Sequence, residues 1–373
     1  MIRPILPALL LLACQGGGKP SDSGVDSGTT GDGGSEELEG LAAYGLLGWD
    51  GQDFAYADGV LPYALATPLF SDYALKARAL VLPEGTSFPY TGEDETFELP
   101  VGTRILKSFV YPADLRSPDE DLRVIETRVL FREDDGWTAE PWVWNADNTA
   151  ATLAPSGATE EIVVTGLDGE PLVIQYLVPQ KNQCVDCHEL KIDDERTIVP
   201  IGPKARHLNR GYDHGAGEVN QLQTLADLGW LTGLPALDTV PQATDARLIE
   251  GLDPTELDPA TLEAAARDYL DINCAHCHNP RASEGVSSQL FLDRSTTEPF
   301  DLGVCKRPGS AGSGTGGLTF DIVPGDHEQS ILWYRMQTEE LGEMMPDLGR
   351  SVRDEAGVAL IAAWIDAMEG SCE

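Results

Sequence analysis

One short pattern constrains this chain more than any other. Cys-x-x-Cys-His occurs as CVDCH at residues 184–188 and again as CAHCH at residues 274–278. Each copy brings two thiols and an imidazole within a turn of chain, a donor set suited to transition metals and to covalent thiol chemistry. Paired zinc knuckles usually lie about 15–20 residues apart, whereas 86 residues separate Cys187 from Cys274. A thioredoxin-like dithiol wants a βαβ frame, which the surrounding pattern lacks. The remaining reading is thioether attachment of haem, through Cys184 and Cys187 in one copy and Cys274 and Cys277 in the other. His188 and His278 are then delivered to iron as proximal ligands. The expectation is two covalently bound haem c groups.

The chain around these motifs divides by composition. Residues 1–13, MIRPILPALLLLA, read as a signal peptide, and no other segment carries the about 20 apolar residues a membrane span needs. Leu11-Leu12-Ala13-Cys14 resembles the lipobox of bacterial lipoproteins, which implies acylation of Cys14; Gln15 behind it resembles outer-membrane sorting. Residues 14–44 then hold the lipidated cysteine and a Gly/Ser/Asp-rich tether whose 15–35 stretch reaches roughly 25 Å. Residues 45–182 read as a β-rich domain, with runs such as TRILKSFVYP and LRVIETRVLFRE separated by DDG and LDGE turn signals. Helical spacing takes over at 219–231, 259–273, 330–337 and 354–368. This predicts an α+β multidomain chain. An N-terminal antiparallel β sandwich or barrel-like domain is followed by mostly α-helical c-type haem domains, a first haem-binding segment at 183–250 and a second domain at 251–373.

The second motif follows a predicted helix, PATLEAAARDYLDIN, and precedes GEMMPDLG and a last amphipathic helix. That frame resembles a class I cytochrome c domain, which implies a loop methionine on the far side of the iron. Met345, directly before Pro346, is the candidate over Met344; Met336 and Met368 read as core. The first motif follows a strand, PLVIQYLVPQ, and has no methionine of its own. Its sixth ligand is expected from His207, from His214, or from neither, leaving an open iron. His276 and His327 read as surface residues. Cys305 and Cys372 remain, either as a disulfide worth roughly 4 kcal/mol or as two free thiols.

Taken together, TPLFSDYALKAR, PVGTRILKSFVYPADLR, NQCVDCH, IGPKARHLN, NCAHCHNP, VCKRPGSAGSGTGGLTFDIVPGD and MMPDLGR resemble a family of exported bacterial dihaem c-type cytochromes of largely unassigned role. The resemblance runs from about residue 45 to the end and implies export and two covalent haems. The expected function is electron transfer outside the cytoplasm by a lipid-anchored carrier, periplasmic or surface-facing on the outer membrane. The alternative is a dihaem peroxidase or oxidase-like enzyme with an open first haem, for which KIDDER at 191–196 offers acidic groups. A third expectation gives the β domain a docking or ligand-binding role, with Trp137, Trp142 and Trp144 as a binding face if exposed; alternation in AEPWVWN puts Trp142 and Trp144 on one side, which reads as core. The net charge of −37 disfavours nucleic acid and fits a redox protein donor or acceptor with a basic docking face, with membrane contact through the lipid anchor alone.

Overall fold

The computed structural model describes residues 40–282 and 289–373. Six strands, β1 (Val60–Tyr63), β2 (Leu75–Val81), β3 (Arg104–Tyr111), β4 (Arg123–Glu133), β5 (Gly136–Trp144) and β6 (Ala151–Leu153), form one antiparallel sheet in chain order. Glu133 pairs with Gly136 across the two-residue turn Asp134-Asp135, the tightest connection an antiparallel pair allows. Side chains alternate between the faces. On one face Leu80, Ile105 and Leu130 join Phe88, Phe97, Leu222, Leu231 and Ile272 in the largest core cluster. On the other, Ala79 and Leu106 pack with Val60, while Val129, Trp142 and Trp144 pack with Leu41. A separate hairpin, β7 (Ala158–Thr165) with β8 (Pro171–Val178), lays Ile162, Val164, Ile174, Tyr176 and Val178 against Phe109, Tyr111 and Ile125.

Among the described residues, helices longer than five residues follow at α1 (Gln221–Asp227), α2 (Pro259–Asn273), α3 (Ile331–Gln337) and α4 (Glu355–Asp366). α2 starts where its sequence says it should. Asp258 accepts from the amides of Ala260 and Thr261, and Pro259 occupies the first helical position, where its missing N–H is no loss. Its apolar stripe, Leu262, Ala265, Ala266 and Leu270, packs on Val358, Ile361, Trp364 and Ile365 of α4. Leu270 and Ile361 are fully buried, and truncating either to Ala costs about 2–5 kcal/mol.

The chain mixes helix and strand, at 23% and 27%, with antiparallel sheets, so the expectation of mostly α-helical haem domains is corrected. The physical reason lies in turn chemistry. Between residues 183 and 250, Asp193-Asp194 and the Gly215/Gly217 pair take positive φ and close hairpins at Glu189–Ile198 and Gly211–Asn220, leaving only short helices between them. This stretch also shares a core with the sheet, since Leu231 pairs in parallel with Phe88 and Ala205, Leu208 and Val240 join the same cluster. Trp137, Trp142 and Trp144 offer no exposed docking face, in line with the alternation that points Trp142 and Trp144 to the core. All three are buried, and Trp144 donates to Thr127 Oγ1 at 2.9 Å. Among the described residues no helix is long and apolar enough to cross a membrane. The signal segment, Cys14 and the 15–35 tether lie outside the described residues.

Candidate haem-binding site

α2 carries its last turn straight into the second motif, and its polar side is as firmly anchored as its apolar one. Asn273 accepts from the Phe70 amide at 2.7 Å and donates to the Pro68 carbonyl. Asp271 takes both ends of a Lys204 ion pair, at 2.7 and 2.9 Å, and lies 3.3 Å from His207 Nε2. Asp268 accepts from the Thr244 amide and hydroxyl and lies 3.2 Å from Arg294. Burial by itself would raise the Asp271 carboxyl; the Lys204 ammonium, and then His207, outweigh it and hold it below the usual carboxylate range. The helix that delivers Cys274 is thereby clamped to the loops on which the first motif depends.

After Cys274 the chain closes one turn, with the His278 amide donating to the Cys274 carbonyl at 2.9 Å and the Leu292 amide to the His278 carbonyl at 2.8 Å. A cavity of about 590 Å³ opens here, within the range of cofactor sites. Cys274, Cys277 and His278 contribute to its lining, as do Tyr269, Leu292, Leu332, Met336 and Val358. So does Met345, whereas Met344 is packed in the protein and does not face the space. Arg350 pins the methionine loop: its Nε donates to the Met345 carbonyl at 3.0 Å and its Nη2 to the carbonyls of Arg335 and Thr338. Its Nη1 is buried with no partner, although Arg350 lines the cavity. Asp321 lines it as well, its carboxyl pushed up to about 6 by burial. Imidazole, thioether, two thiols and an orphaned guanidinium nitrogen around a largely apolar space fit a haem with its propionates.

The first motif forms a single helical turn, Cys184–His188, reached from β8 through a 3-10 turn at Lys181–Gln183. His188 Nδ1 lies 2.7 Å from the Val199 carbonyl, across the hairpin that follows. That contact sets Nδ1 as the N–H donor and leaves Nε2 as the basic nitrogen, the arrangement of a metal-ligating histidine. Burial pushes the imidazole down to about 4, so it is neutral at physiological pH. The donor set fits, but the space does not yet: the cavity beside His188 is about 100 Å³, bounded by Arg128, Leu130, Gln183, Cys184, Leu348 and Gly349. A macrocycle there requires the 348–349 loop and the Gln183 turn to part.

The two motifs meet. Cys277 Sγ lies 3.3 Å from the Asp186 carbonyl, and the ligand atoms of Cys187, His276 and Cys277 fall within 4.8 Å of one another. The side-chain interaction between the Cys187 and Cys277 sulfurs draws Cys187 down and Cys277 up. His276, expected on the surface, thus belongs to the junction. His207 does not reach the first motif. It is fully buried against Asp271, away from the cavity beside His188, because Ala205–Leu208 is one short turn held in the core. His214 packs on Tyr212, with ring centroids 4.7 Å apart, and His327 pairs with Asp366 at 2.8 Å. The acidic KIDDER stretch is an exposed hairpin tip. Cys305 and Cys372 form a disulfide.

Three features escaped the sequence. The Asp271 clamp was visible as an acid and an amide, Asp271 and Asn273, inside an apolar helical run. Arg350 was visible as the basic residue ending MMPDLGR. The junction of the motifs left no local signal at all. Comparison with protein-family models, with curated proteins and with solved structures finds no match for this chain.

Proposed function

We propose that this chain is a lipid-anchored dihaem c-type cytochrome that carries electrons outside the cytoplasm, with a redox protein as donor or acceptor. The observation that carries the reading is the 590 Å³ cavity whose lining holds Cys274, Cys277 and His278 together with Met345. A bound haem supplies one-electron exchange at iron. The chain's own residues do the rest: Cys184, Cys187, Cys274 and Cys277 hold it, His188 and His278 offer imidazole, and Met345 offers a thioether that favours the ferrous state. Arg350 fixes that methionine through its carbonyl. The contact of Cys187 with Cys277 supports a short path between the two groups.

On this reading residues 251–373 act as a class I cytochrome c-like unit, built on α2 and α4, and the β domain carries the first haem at its edge. A second reading has a specific observation of its own, since Cys187, His276 and Cys277 converge closely enough to hold a metal ion such as zinc. One experiment separates them. The full chain, expressed in a host that matures c-type cytochromes, is denatured, stained for covalent haem and analysed for iron and zinc. Two haem irons per chain support the carrier; one zinc and no covalent haem refute it. Carbon monoxide then tests the enzymatic alternative, because a ferrous iron that binds it has an open site.

A further inference from the structure

Asp321 is a buried acid, 5% exposed, on the wall of the 590 Å³ cavity that holds Cys274, Cys277, His278 and Met345. Among the described residues no hydrogen bond or ion pair reaches its carboxylate. The fold, not a partner for its charge, keeps it there. The Asp321 amide donates to the Lys306 carbonyl at 2.7 Å, and the Asp321 carbonyl accepts from the Leu332 amide at 3.0 Å. On either side, Phe320 and Ile322 bridge to Ser330 and Val304, and Cys305 staples the neighbouring segment to Cys372. Gly303, at φ +100°, leaves the room that the acid needs: a Cβ there would lie 3.0 Å from the Asp321 Cβ and 2.7 Å from Leu290 Cδ1.

An ionised carboxylate buried without a bonded partner is costly, and such a group tends to take a proton instead. Two cations face Asp321, and both are turned to other acceptors. The Lys306 ammonium donates to the Gln289 carbonyl and lies 5.0 Å from the centre of the Phe300 ring. Arg335, on α3, donates through Nε to the Glu343 carbonyl at 2.8 Å. Burial raises the Asp321 carboxyl to about 6 against the pull of Lys306 and Arg335. Beyond the thiols and His278, the other titratable groups on the cavity wall are Asp186, Tyr269, His276, Asp347, Arg350 and Asp354. Of the carboxyls, Asp354 is engaged by Tyr269 and by the first turn of α4, and Asp347 is exposed.

We propose that Asp321 takes up a proton when the cavity receives an electron and releases it when the electron leaves. The inference rests on the haem reading above for the site of the electron, and on the buried, unbonded carboxylate for the proton. One electron passes from the redox donor to iron, and one proton from water forms an O–H bond at an Asp321 Oδ; oxidation reverses both. Reduction removes one positive charge from the cavity, so the neighbouring carboxylate gains less by staying ionised. The coupling is reciprocal: a protonated Asp321 favours the reduced site by the same factor.

The test is a spectroelectrochemical titration of the full, haem-loaded chain between about pH 4 and 8. The midpoint potential of the haem at His278 is expected to fall as pH rises through about 6. A tenfold difference in proton affinity between the ferrous and ferric forms corresponds to about 59 mV between the two plateaus. Asp321→Asn, of the same size but without a titration, should flatten that fall, and Asp321→Glu should restore it. Glu328→Gln, which removes an exposed carboxyl from the following turn, should leave it as in the parent. Propionates titrate in every variant, so the difference between parent and Asp321→Asn isolates Asp321. The same pH dependence in both overturns the proposal. Infrared difference spectra of the parent on reduction near pH 6 give a second readout that needs no variant. A protonated-carboxyl band that isotope-labelled aspartate moves supports the proposal, and its absence overturns it. A chain that stains for no covalent haem defeats the functional reading and this inference with it; a haem-loaded chain that fails either readout defeats this inference alone.

Discussion

Replacing Asp271 by Ala probes the clamp that ties α2, and with it the second motif, to the segment around Lys204 and His207. The Asp271 side chain is 1% exposed, Lys204 is 12% exposed and His207 is fully buried, so the substitution strands an ammonium and an imidazole where water cannot compensate. Removing one partner of a buried pair costs about 3–5 kcal/mol. At the ~2 °C per kcal/mol that large domains show, thermal unfolding at pH 7 is expected ~6–10 °C earlier. The pH dependence has a definite sign. The folded Asp271 carboxyl titrates below its unfolded value of about 3.9. Its contribution is therefore fully present above about pH 4 and is lost as pH falls through the lower, folded value. The gap between parent and Asp271→Ala should stay constant from pH 7 to 4 and close below it. The double variant Asp271→Leu/Lys204→Met, which removes both charges, should lose less than Asp271→Ala alone. A loss under about 1 kcal/mol at pH 7, or a gap unchanged at pH 2, would refute the assignment of Asp271 as a charged clamp.

Three further perturbations follow from the structure. Cys305→Ala/Cys372→Ala opens a loop spanning 67 residues and should destabilise the chain by about 4 kcal/mol on the chain-entropy estimate, read as a lower denaturant midpoint that reductant reproduces in the parent. Asp258→Ala removes the cap of α2 and should cost about 1 kcal/mol, with Asp258→Asn recovering most of it in the same denaturant titration. On the cytochrome reading, Met345→Ala should make a ferrous iron reactive to carbon monoxide in a visible difference spectrum. Met344→Ala should leave that spectrum as in the parent while lowering stability, because Met344 is packed rather than cavity-facing.

Legibility of the fold followed the range of each interaction. α2 was readable to the residue, because its helical spacing from 259 to 273 is a local signal that the folded chain keeps. Three strands of the sheet, β3, β4 and β5, were readable through their β-rich runs and the Asp134-Asp135 turn, whereas β1, β2 and the short β6 were not. The stretch from 183 to 250 was misjudged as helical in part because its first hairpin turns on non-glycine residues at positive φ, Asp193 and Asp194, which composition does not announce. His207 was a reasonable ligand candidate by sequence distance alone. Its fate was set by Asp271, 64 residues away, and pairing over such a distance is invisible without coordinates. The same holds for Cys187 and Cys277, which met only through the packing of α2 against the sheet loops. What the sequence did contain, and did not emphasise, was a charge interrupting each of three adjacent β runs: Arg78, Lys107 and Arg128.

Burial leaves the charge balance of the outer surface unchanged. Arg78, Arg206, Arg267, Lys306 and Arg350 are buried, and so are Asp72, Glu126, Asp268, Asp271 and Asp321. The net charge of −37 is therefore carried by the rest of the chain. Such a surface attracts a basic redox partner over the roughly 8 Å Debye length at physiological ionic strength and repels an acidic one. For the proposed carrier, the second-order rate of electron transfer to a small basic redox protein should fall steeply as salt rises from about 10 to 500 mM, and the rate to an acidic one should rise. Stopped-flow absorbance measures both. Equal rates and no salt dependence with either partner would show that docking relies on a local patch rather than on the whole field.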